Sequence, residues 1–469
     1  QNITTARSLD RARYPGRMGL HTRPNGPPTS DRRRRVLRAY LGIFLVGPAV
    51  ARRSGAAILR RPMSLVVQKY GGTSVGSLDR IRRVAQRVAE THREGHQVIV
   101  VVSAMAGETD KLLSMGWELS ERPAEREMDV LVSSGEQVSA ALLAIQLNEL
   151  GVPARSLLGH QARILTDNVH RKARIRTIDG GALRELVEGG NVLVVAGFQG
   201  TDAYGNITTL GRGGSDTSAV AIAAAVNADV CEICTDVDGV YTTDPGVCSN
   251  ARKIPRVSYE EMLELSSLGA KVLQIRSVEL AMKHRMPLHV RSSFSNVEGT
   301  IVTDEEHLLE KVVVAGVAAD KKTVKLTVVA LPDHPGVVAS VFEPLAEANI
   351  SVDMIIQNVS REGHTDLTFT VSREDATRAE EIAKKLVSDV GAETVARDDA
   401  VAKVSIVGVG MRNHAGIAAR MFRLLADNAI NIAAISTSEI KTSCLIEEEH
   451  ADRAVAILHD GFELGKSRD

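Results

Sequence analysis

The chain has 469 residues, of which 44% are hydrophobic and 25% are charged, and its formal net charge at pH 7 is −1. This length and composition are typical of a soluble globular protein with two or more domains. The near-zero net charge argues against a general electrostatic attraction to nucleic acid or to a membrane, so we expect local sites for small molecules.

Residues 1–62 differ in composition from the rest of the chain. They contain fourteen arginines, no lysine and two acidic residues, and they have too little apolar content for a core. Within them, RRRRVLRAYLGIFLVGPAVA imitates a secretory signal, although its apolar run is too short to cross a bilayer. The alternatives are upstream sequence included in the reading frame, a disordered extension and a targeting segment. We expect a disordered or mis-included extension, with Met63 as the start.

From Met63 to about residue 305, apolar strand-like runs alternate with helical spacing. SLVVQKYGG, HQVIVVVSAMAG, NVLVVAGFQG and ADVCEICTDVDGVY are strand-like, and DRIRRVAQRVAETHREG has amphipathic helical spacing. The alternation predicts an α/β domain with a mostly parallel sheet and helices on both faces. Such sheets bind ligands at the carboxyl ends of their strands.

The four cysteines predict neither a disulfide framework nor a metal site. Cys231 and Cys234 form a C-x-x-C pair, but the pair lies in a strand-like segment with no second pair and no nearby histidine pair to complete zinc ligation. We therefore expect reduced thiols and a cytoplasmic protein.

Two glycine-bearing motifs, KYGGTSVGS and LGRGGSDTS, predict helix N-termini that bind anions. Lys69 ends a strand before Gly71 and Gly72, and Arg212 precedes Gly213. Glycines let backbone N–H groups approach a ligand, and an arginine can bind a carboxylate or phosphate through two hydrogen bonds. The alternative is an ordinary turn between strand and helix, since no Walker A motif is present.

Two acidic features have a structural and a functional interpretation. The segment TDVDGVYTTDP, with Asp236, Asp238 and Asp244, lacks the order of a calcium loop. It is either a solvated turn or a nucleotide-binding loop. Glu136, in SSGEQ, either compensates a helix dipole or binds a substrate ammonium.

The C-terminal third contains an internal repeat. Residues 325–355 and 403–435 share a strand, a polar loop with His-x-Gly, an amphipathic helix, a turn with Asn and a second strand. Two copies are too few for a solenoid, which needs at least about three repeats, so they predict two small α/β domains. Each would expose a sheet edge and an apolar face, which predicts association within and between chains as a homo-oligomer.

The motifs together resemble the aspartate kinases, members of the amino-acid kinase fold family with two C-terminal ACT domains. The resemblance rests on KYGGTSV, SSGE, GFQG, TTLGRGGSDTSA, TDVDGVYTTDP and SLGAKVLQIRSVE, followed by the repeats, and it extends from Met63 to about Gly465. It implies a catalytic domain at 63–305 and ferredoxin-like ACT domains at 323–395 and 402–465. It also implies transfer of the γ-phosphoryl group of ATP to the β-carboxylate of L-aspartate.

The resemblance assigns roles to individual residues. Those implied in catalysis are Lys69, Arg212 and Asp216. Those implied in aspartate binding are Thr109, Glu136, Arg212, Gly213, Gly214, Ser215 and Asp216. Those implied in ATP binding are Lys69, Tyr70, Gly71, Gly72, Ser103, Thr235, Asp236, Tyr241, Thr242, Thr243, Asp244, Pro245, Gly246 and Lys271. The family commonly has arginine where this chain has Gly246, which removes one side-chain contact.

The resemblance also implies feedback inhibition by lysine and threonine, bound between ACT domains. The residues implied are Asp333, Ser351, Val352, Asp353, Gln357, Asn431, Ile432, Thr437, Ser438 and Glu439. Asp333 is suited to pair with an effector ammonium, and the turns at Asn349 and Asn431 offer backbone groups for its carboxylate.

The chemistry needs no general base, because a β-carboxylate with a reference pKa near 3.9 is already ionised at pH 7. Mg²⁺ is expected to be held mainly by the ATP phosphates, without a protein metal site. Two alternatives remain. Another kinase of this fold would act on acetylglutamate, glutamate or a nucleoside monophosphate, and a non-catalytic amino-acid sensor would have lost catalytic groups.

Overall fold

In the computed structural model the described residues are 64–268, 272–304, 313–358 and 363–466, and the predicted extension 1–62 lies outside them. The helices are α1 Leu78–Arg93, α2 Glu108–Leu119, α3 Glu125–Glu149, α4 Gly180–Glu188, α5 Gly214–Ala225, α6 Tyr259–Ser267, α7 Ile275–His284, α8 Val337–Glu347, α9 Ala376–Val390, α10 Ile417–Asp427 and α11 Ala451–Gly461. The strands are β1 Leu65–Tyr70, β2 Gln97–Val102, β3 Ala154–Leu157, β4 Ile164–Thr166, β5 Ile175–Ile178, β6 Val192–Ala196, β7 Gln199–Thr201, β8 Ile207–Thr209, β9 Val230–Thr235, β10 Arg256–Ser258, β11 Leu288–Ser292, β12 Thr300–Thr303, β13 Gly316–Asp320, β14 Thr323–Pro332, β15 Val352–Gln357, β16 His364–Ser372, β17 Thr394–Asp398, β18 Val401–Val407, β19 Ala434–Thr437 and β20 Lys441–Glu447.

An eight-stranded sheet organises the N-terminal part, with strand order β10-β12-β11-β9-β1-β2-β6-β3. Its central neighbours β9, β1, β2, β6 and β3 are parallel, and β12 runs antiparallel to β11. Strands such as QVIVVV and VLVVA are almost entirely buried, because helices cover both faces of a parallel sheet. The predicted α/β architecture is confirmed.

The two faces of this sheet carry different helices. On one face, the small residues of α5 pack against Val67 of β1 and Val101 of β2. On the other face, α1 and α3 pack against Val98 and Val100 of β2. The side chains of a strand alternate between faces, so Lys69 is directed toward the α5 side and Tyr70 toward the α1 side.

By length and composition, α3 is the one helix among the described residues that could cross a membrane, and half of its apolar window is buried inside the structure. It contributes Leu143 and Leu147 to the core beneath the sheet. A second, small sheet of order β5-β4-β7-β8 contributes Ile164 to the core on the α5 side.

The C-terminal part forms two four-stranded sheets, each covered by two helices. The first, of order β15-β16-β14-β17, packs on α8 and α9, and the second, of order β13-β18-β20-β19, packs on α10 and α11. The second sheet takes its edge strand β13 from residues that precede the first repeat. The first unit is therefore inserted into the second, a feature that the repeat pattern did not predict.

The second unit shares its core with the N-terminal part of the chain. Cys248, which follows the predicted nucleotide loop, is buried in the same cluster as Val317 of β13, Val404 of β18 and Leu458 of α11. Removing the second unit would expose apolar surface beside that loop.

We predict that a fragment of residues 64–304 will have a lower melting temperature and a weaker ATP affinity than residues 64–466, because the Cys248 surface loses its apolar cover. The measurements are thermal denaturation and ATP titration. A matched control replaces residues 323–398 with a short Gly/Ser linker. It removes only the first unit, since Asp320 and Lys403 are already paired across β13 and β18. Equal losses in both proteins would contradict the prediction.

Candidate active site

The predicted site loops follow the carboxyl ends of adjacent strands β9, β1, β2 and β6. A Cβ atom on Gly72, after β1, would lie 2.9 Å from the carbonyl oxygen of Ala104, after β2. This close approach requires glycine. The loops therefore form one edge of the sheet, where ligands bind in folds of this type.

A cavity of about 400 Å³ opens at this edge, a size within the usual range for small-molecule sites. It brings together the predicted residues of four segments: Lys69 and Gly72, Ser103 and Thr109, Glu136 on α3, and the loop at the start of α5. Its lining residues are Lys69, Gly72, Ser103, Ala104, Met105, Ala106, Gly107, Thr109, Asp110, Glu136, Phe198, Gly211, Arg212, Gly213, Gly214, Ser215, Asp216 and Gln274.

Lys69 and Asp216 form an ion pair within this cavity. Nζ of Lys69 lies 2.6 Å from Oδ1 of Asp216, and the two side chains are 11% and 10% exposed. Asp216 lies in the first turn of α5, which starts after Gly213 in the left-handed conformation with φ of 70°. The pair joins β1 to the N-terminus of α5 and orients the lysine ammonium.

Glu136 is a buried carboxyl group that is only partly satisfied. It is 3% exposed, and Oε1 accepts a hydrogen bond of 3.0 Å from the Ala104 backbone N–H. Among the described residues, Oε2 has no hydrogen-bond partner. Burial raises the pKa of Glu136 to about 7. An ammonium ion in the cavity would stabilise its charged form.

Arg212 is exposed at the same cavity. Within the ranges that the structure describes, no hydrogen bond or ion pair engages its guanidinium group. A guanidinium and a buried carboxyl in one cavity offer partners for both charged groups of an amino acid.

Thr235 and Asp236 lie next to the β1 loop. The Gly71 N–H donates to the Cys234 carbonyl at 3.4 Å, and the side chain of Ser74 contacts that of Ser293 at 2.6 Å. The Tyr70 side chain is fully buried in the core on the α1 side, so only its backbone can contact a ligand. Lys271 lies outside the described residues.

The remaining predicted nucleotide residues lie outside the cavity lining, and part of this segment faces the second C-terminal unit. Thr242 Oγ1 lies 2.9 Å from Nε2 of His459 on α11, and the Thr242 carbonyl accepts a 2.8 Å hydrogen bond from Val317. Thr242 and Thr243 are buried, whereas the run Asp244, Pro245 and Gly246 is exposed. No local pattern in the sequence indicates the contact with His459.

The predicted effector residues lie on both C-terminal units. In the first unit, Asp333, Ser351, Asp353 and Gln357 are exposed and Val352 is half-buried. In the second unit, Asn431, Thr437, Ser438 and Glu439 are exposed and Ile432 is half-buried.

Ion pairs connect these effector segments to their surroundings. Asp353 pairs with Lys403 of β18, which joins the two units. Lys441, after the turn that contains Glu439, pairs with Glu264 of α6 at 2.7 Å.

Several site residues were missed by sequence reasoning. Asp110, Phe198 and Gln274 line the cavity, and the buried Asp129 accepts a hydrogen bond from Thr209, at the strand end that leads to Arg212. Asp129 precedes Glu136 by seven residues in EREMDVLVSSGEQ. This spacing places both residues on one face of a helix and is the sequence pattern from which Asp129 could have been predicted.

Comparisons with known proteins agree with this architecture. The model of the "Amino acid kinase family" matches residues 64–292, and two models of the "ACT domain" match residues 325–390 and 404–462. An aspartokinase of Pseudomonas aeruginosa is 54% identical over 404 residues, covering 86% of this chain and 98% of that protein.

Solved structures extend the comparison. Escherichia coli aspartokinase III in complex with aspartate and ADP (R-state) is 28% identical, with a TM-score of 0.70 over 85% of this chain and 99% of that one. The same enzyme in complex with lysine and aspartate (T-state) is 27% identical, with a TM-score of 0.67 and the same coverage.

The fold, the cavity and the paired C-terminal units define the class of an amino-acid kinase with tandem ACT domains. Within that class, the chain belongs to the aspartokinase family.

The raised pKa of Glu136 predicts a pH-dependent stability. Between its unfolded pKa of 4.5 and its folded pKa of about 7, the unfolded chain ionises first, so the parent loses stability as pH rises through this window. Glu136→Gln avoids this loss. The free energy of unfolding of Glu136→Gln relative to that of the parent should increase by up to about 3 kcal/mol between pH 4.5 and 7.5. It is measured by urea denaturation. Glu149→Gln, on the exposed end of α3, is the control, and parallel profiles for both variants would refute the prediction.

Proposed function

We propose that the protein transfers the γ-phosphoryl group of ATP to the β-carboxylate of L-aspartate, giving 4-phospho-L-aspartate. The observation that carries this proposal is the single cavity that combines the Lys69–Asp216 pair with the partly satisfied Glu136 and the exposed Arg212. Aspartate carries two carboxylates and one ammonium, which match these groups.

In the proposed binding mode, Arg212 binds the α-carboxylate through two hydrogen bonds and Glu136 accepts from the ammonium. Thr109 and the segment Gly213–Ser215 contribute further polar groups to the cavity. The β-carboxylate is then left to attack phosphorus. It is already ionised near pH 7, so the site needs no general base.

Lys69 is proposed to neutralise charge on the transferred phosphoryl group, assisted by backbone N–H groups near Gly72 and at the start of α5. Asp216 orients the ammonium of Lys69. The residues fit a Mg²⁺ ion held mainly by the ATP phosphates, because Asp216 is already paired and Glu136 is held partly neutral by burial. Mg²⁺ would supply charge neutralisation between the phosphates.

ATP is proposed to bind through the loops after β1, β2 and β9. The residues are those implied by the family resemblance: Lys69, Tyr70 by its backbone, Gly71, Gly72, Ser103, Thr235, Asp236, the segment 241–246 and Lys271. A relative of this chain has been solved with aspartate and ADP, which supports this assignment.

We further propose a biosynthetic and regulated role in the cytoplasm. 4-Phospho-L-aspartate is the first intermediate toward lysine, threonine and methionine, and lysine and threonine are the proposed inhibitors. A solved relative with bound lysine supports the first of these. The domains are proposed as residues 63–305, 323–395 and 402–465, with β13 added to the last, and the ACT domains are proposed to pair in a homo-oligomer.

The activity can be tested directly by trapping the acyl phosphate with hydroxylamine in the presence of ATP and aspartate, with acetylglutamate and glutamate as competing candidates. Arg212→Ala should raise KM for aspartate roughly 10- to 150-fold, the equivalent of about 1.5–3 kcal/mol for a lost charged hydrogen bond. KM for ATP should change little. Arg122→Ala, on an exposed connection, is the control. Equal effects on both substrates would contradict the binding mode.

Regulation can be tested with Asp333→Ala and Thr437→Ile, which alter the proposed effector surfaces of the two units. Initial velocities are measured with lysine, threonine, both and neither. We expect half-maximal inhibition of each variant to need effector concentrations at least about tenfold higher than in the parent. The kcat without effector should stay near that of the parent. Thr394→Ala, on an exposed edge strand of the first unit, is the control. Inhibition curves that match the parent would refute the assignment.

A further inference from the structure

Asp129, on α3, is a buried carboxylate to which the proposed mechanism gives no role. It is 0% exposed, and it accepts hydrogen bonds from two separate segments. Nδ1 of His170 lies 2.8 Å from Oδ2, and the Arg171 N–H donates at 3.1 Å. At the end of β8, the Thr209 N–H donates at 3.1 Å and its hydroxyl donates at 2.5 Å. The carboxylate thus ties α3 to the loop before β5 and to β8.

The strand end that Asp129 holds leads directly into the loop of Arg212. The Ala173 N–H donates to the Thr209 carbonyl at 2.9 Å, and Arg276 of α7 donates to the carbonyls of Leu210 and Ala173, each at 2.8 Å. Gly211 has a φ of 78°, and a Cβ there would lie 2.9 Å from the Arg171 carbonyl oxygen. The backbone just before Arg212 is therefore held by Arg276 and by the segment 171–173, and Asp129 anchors that segment and the end of β8.

The same helix also positions Glu136. Asp129 and Glu136 are separated by seven residues, or about two turns and roughly 10 Å of rise, and lie on one face of α3. Both are buried, and Glu136 lines the cavity. One rigid element thus determines where the buried carboxyl lies and where the loop of Arg212 begins.

We propose that Asp129, oriented by His170, is a positioning residue that sets the separation between Arg212 and Glu136 and thereby the length of amino acid that the site accepts. This inference rests on the proposed function, because it assumes that these two residues bind the two charged groups of aspartate. Displacing the Arg212 loop by about 1 Å would misalign the β-carboxylate, an error that can cost on the order of a hundredfold in rate.

The test compares Asp129→Asn with Asp202→Asn in the full chain. Asp202 is also buried, and it accepts from the Tyr204 N–H at 2.9 Å and the Asn206 N–H at 2.8 Å, at the other end of the β7–β8 hairpin. Each change replaces one carboxylate oxygen with an NH₂ group that cannot accept a hydrogen bond. Of the two carboxylates, it is Asp129 that is hydrogen-bonded to Arg171 and Thr209, next to the Arg212 loop.

For Asp129→Asn we expect KM for aspartate to rise about 10- to 100-fold, KM for ATP to stay within about twofold, and the preference for aspartate over glutamate in kcat/KM to fall about tenfold. Asp202→Asn should keep all three values within about twofold while lowering the melting temperature. If Asp129→Asn does not fold, His170→Ala decides the question, since it should shift KM for aspartate in the same direction by a smaller factor.

The inference is overturned if the Asp129 or His170 variant changes only stability, as Asp202→Asn does, or if it raises both KM values equally. Failure of the proposed function would look different. The parent and Asp202→Asn would then both lack aspartate-dependent turnover, before any comparison of variants is made.

Discussion

The ion pair between Lys69 and Asp216 links the core of this protein to its chemistry. Removing two charges from water is costly, and such a pair adds little stability over apolar residues of the same volume. The sheet nevertheless carries it at the carboxyl end of β1, where small residues let α5 approach closely. The pair lies at the edge where the strand loops meet, and in the proposed mechanism the Lys69 ammonium lies beside the transferred phosphoryl group.

The second C-terminal unit packs directly against the segment that is proposed to bind the nucleotide. His459 of α11 contacts Thr242, Cys248 completes the core of that unit, and Lys441 pairs with Glu264 of α6. Burial lowers the pKa of His459, which favours the neutral imidazole in this buried hydrogen bond. A rearrangement of the unit would therefore move the loop 241–248 directly. Allosteric proteins typically couple two sites by a free energy of about 1–3 kcal/mol. A small difference in these contacts between two arrangements of the unit is enough to supply a free energy of that size.

The parallel sheet, its loops and many of the residues that line the cavity could be predicted from the sequence, because buried strands, glycine turns and charged residues at helix starts are local signals. The insertion of the first C-terminal unit into the second could not, since β13 is a short run, GVAAD, outside the repeated pattern. The contact of Thr242 with His459 could not be predicted either, because the two residues are more than two hundred positions apart in the sequence. In the sequence, Asp129 cannot be distinguished from a solvent-exposed acidic residue of a helix, because its contact with β8 exists only in the folded protein.

The electrostatics of the cavity favour a substrate that brings both signs of charge. Because burial raises the pKa of Glu136 to about 7, its neutral form is favoured and part of the cost of a buried unpaired carboxylate is avoided. A ligand with an ammonium would favour the charged form of Glu136, whereas a dicarboxylate without an ammonium would gain no ion pair there. In the proposed binding mode, an α-amino acid is therefore preferred because its ammonium completes the charge of Glu136, while Arg212 provides the opposite charge for its carboxylate.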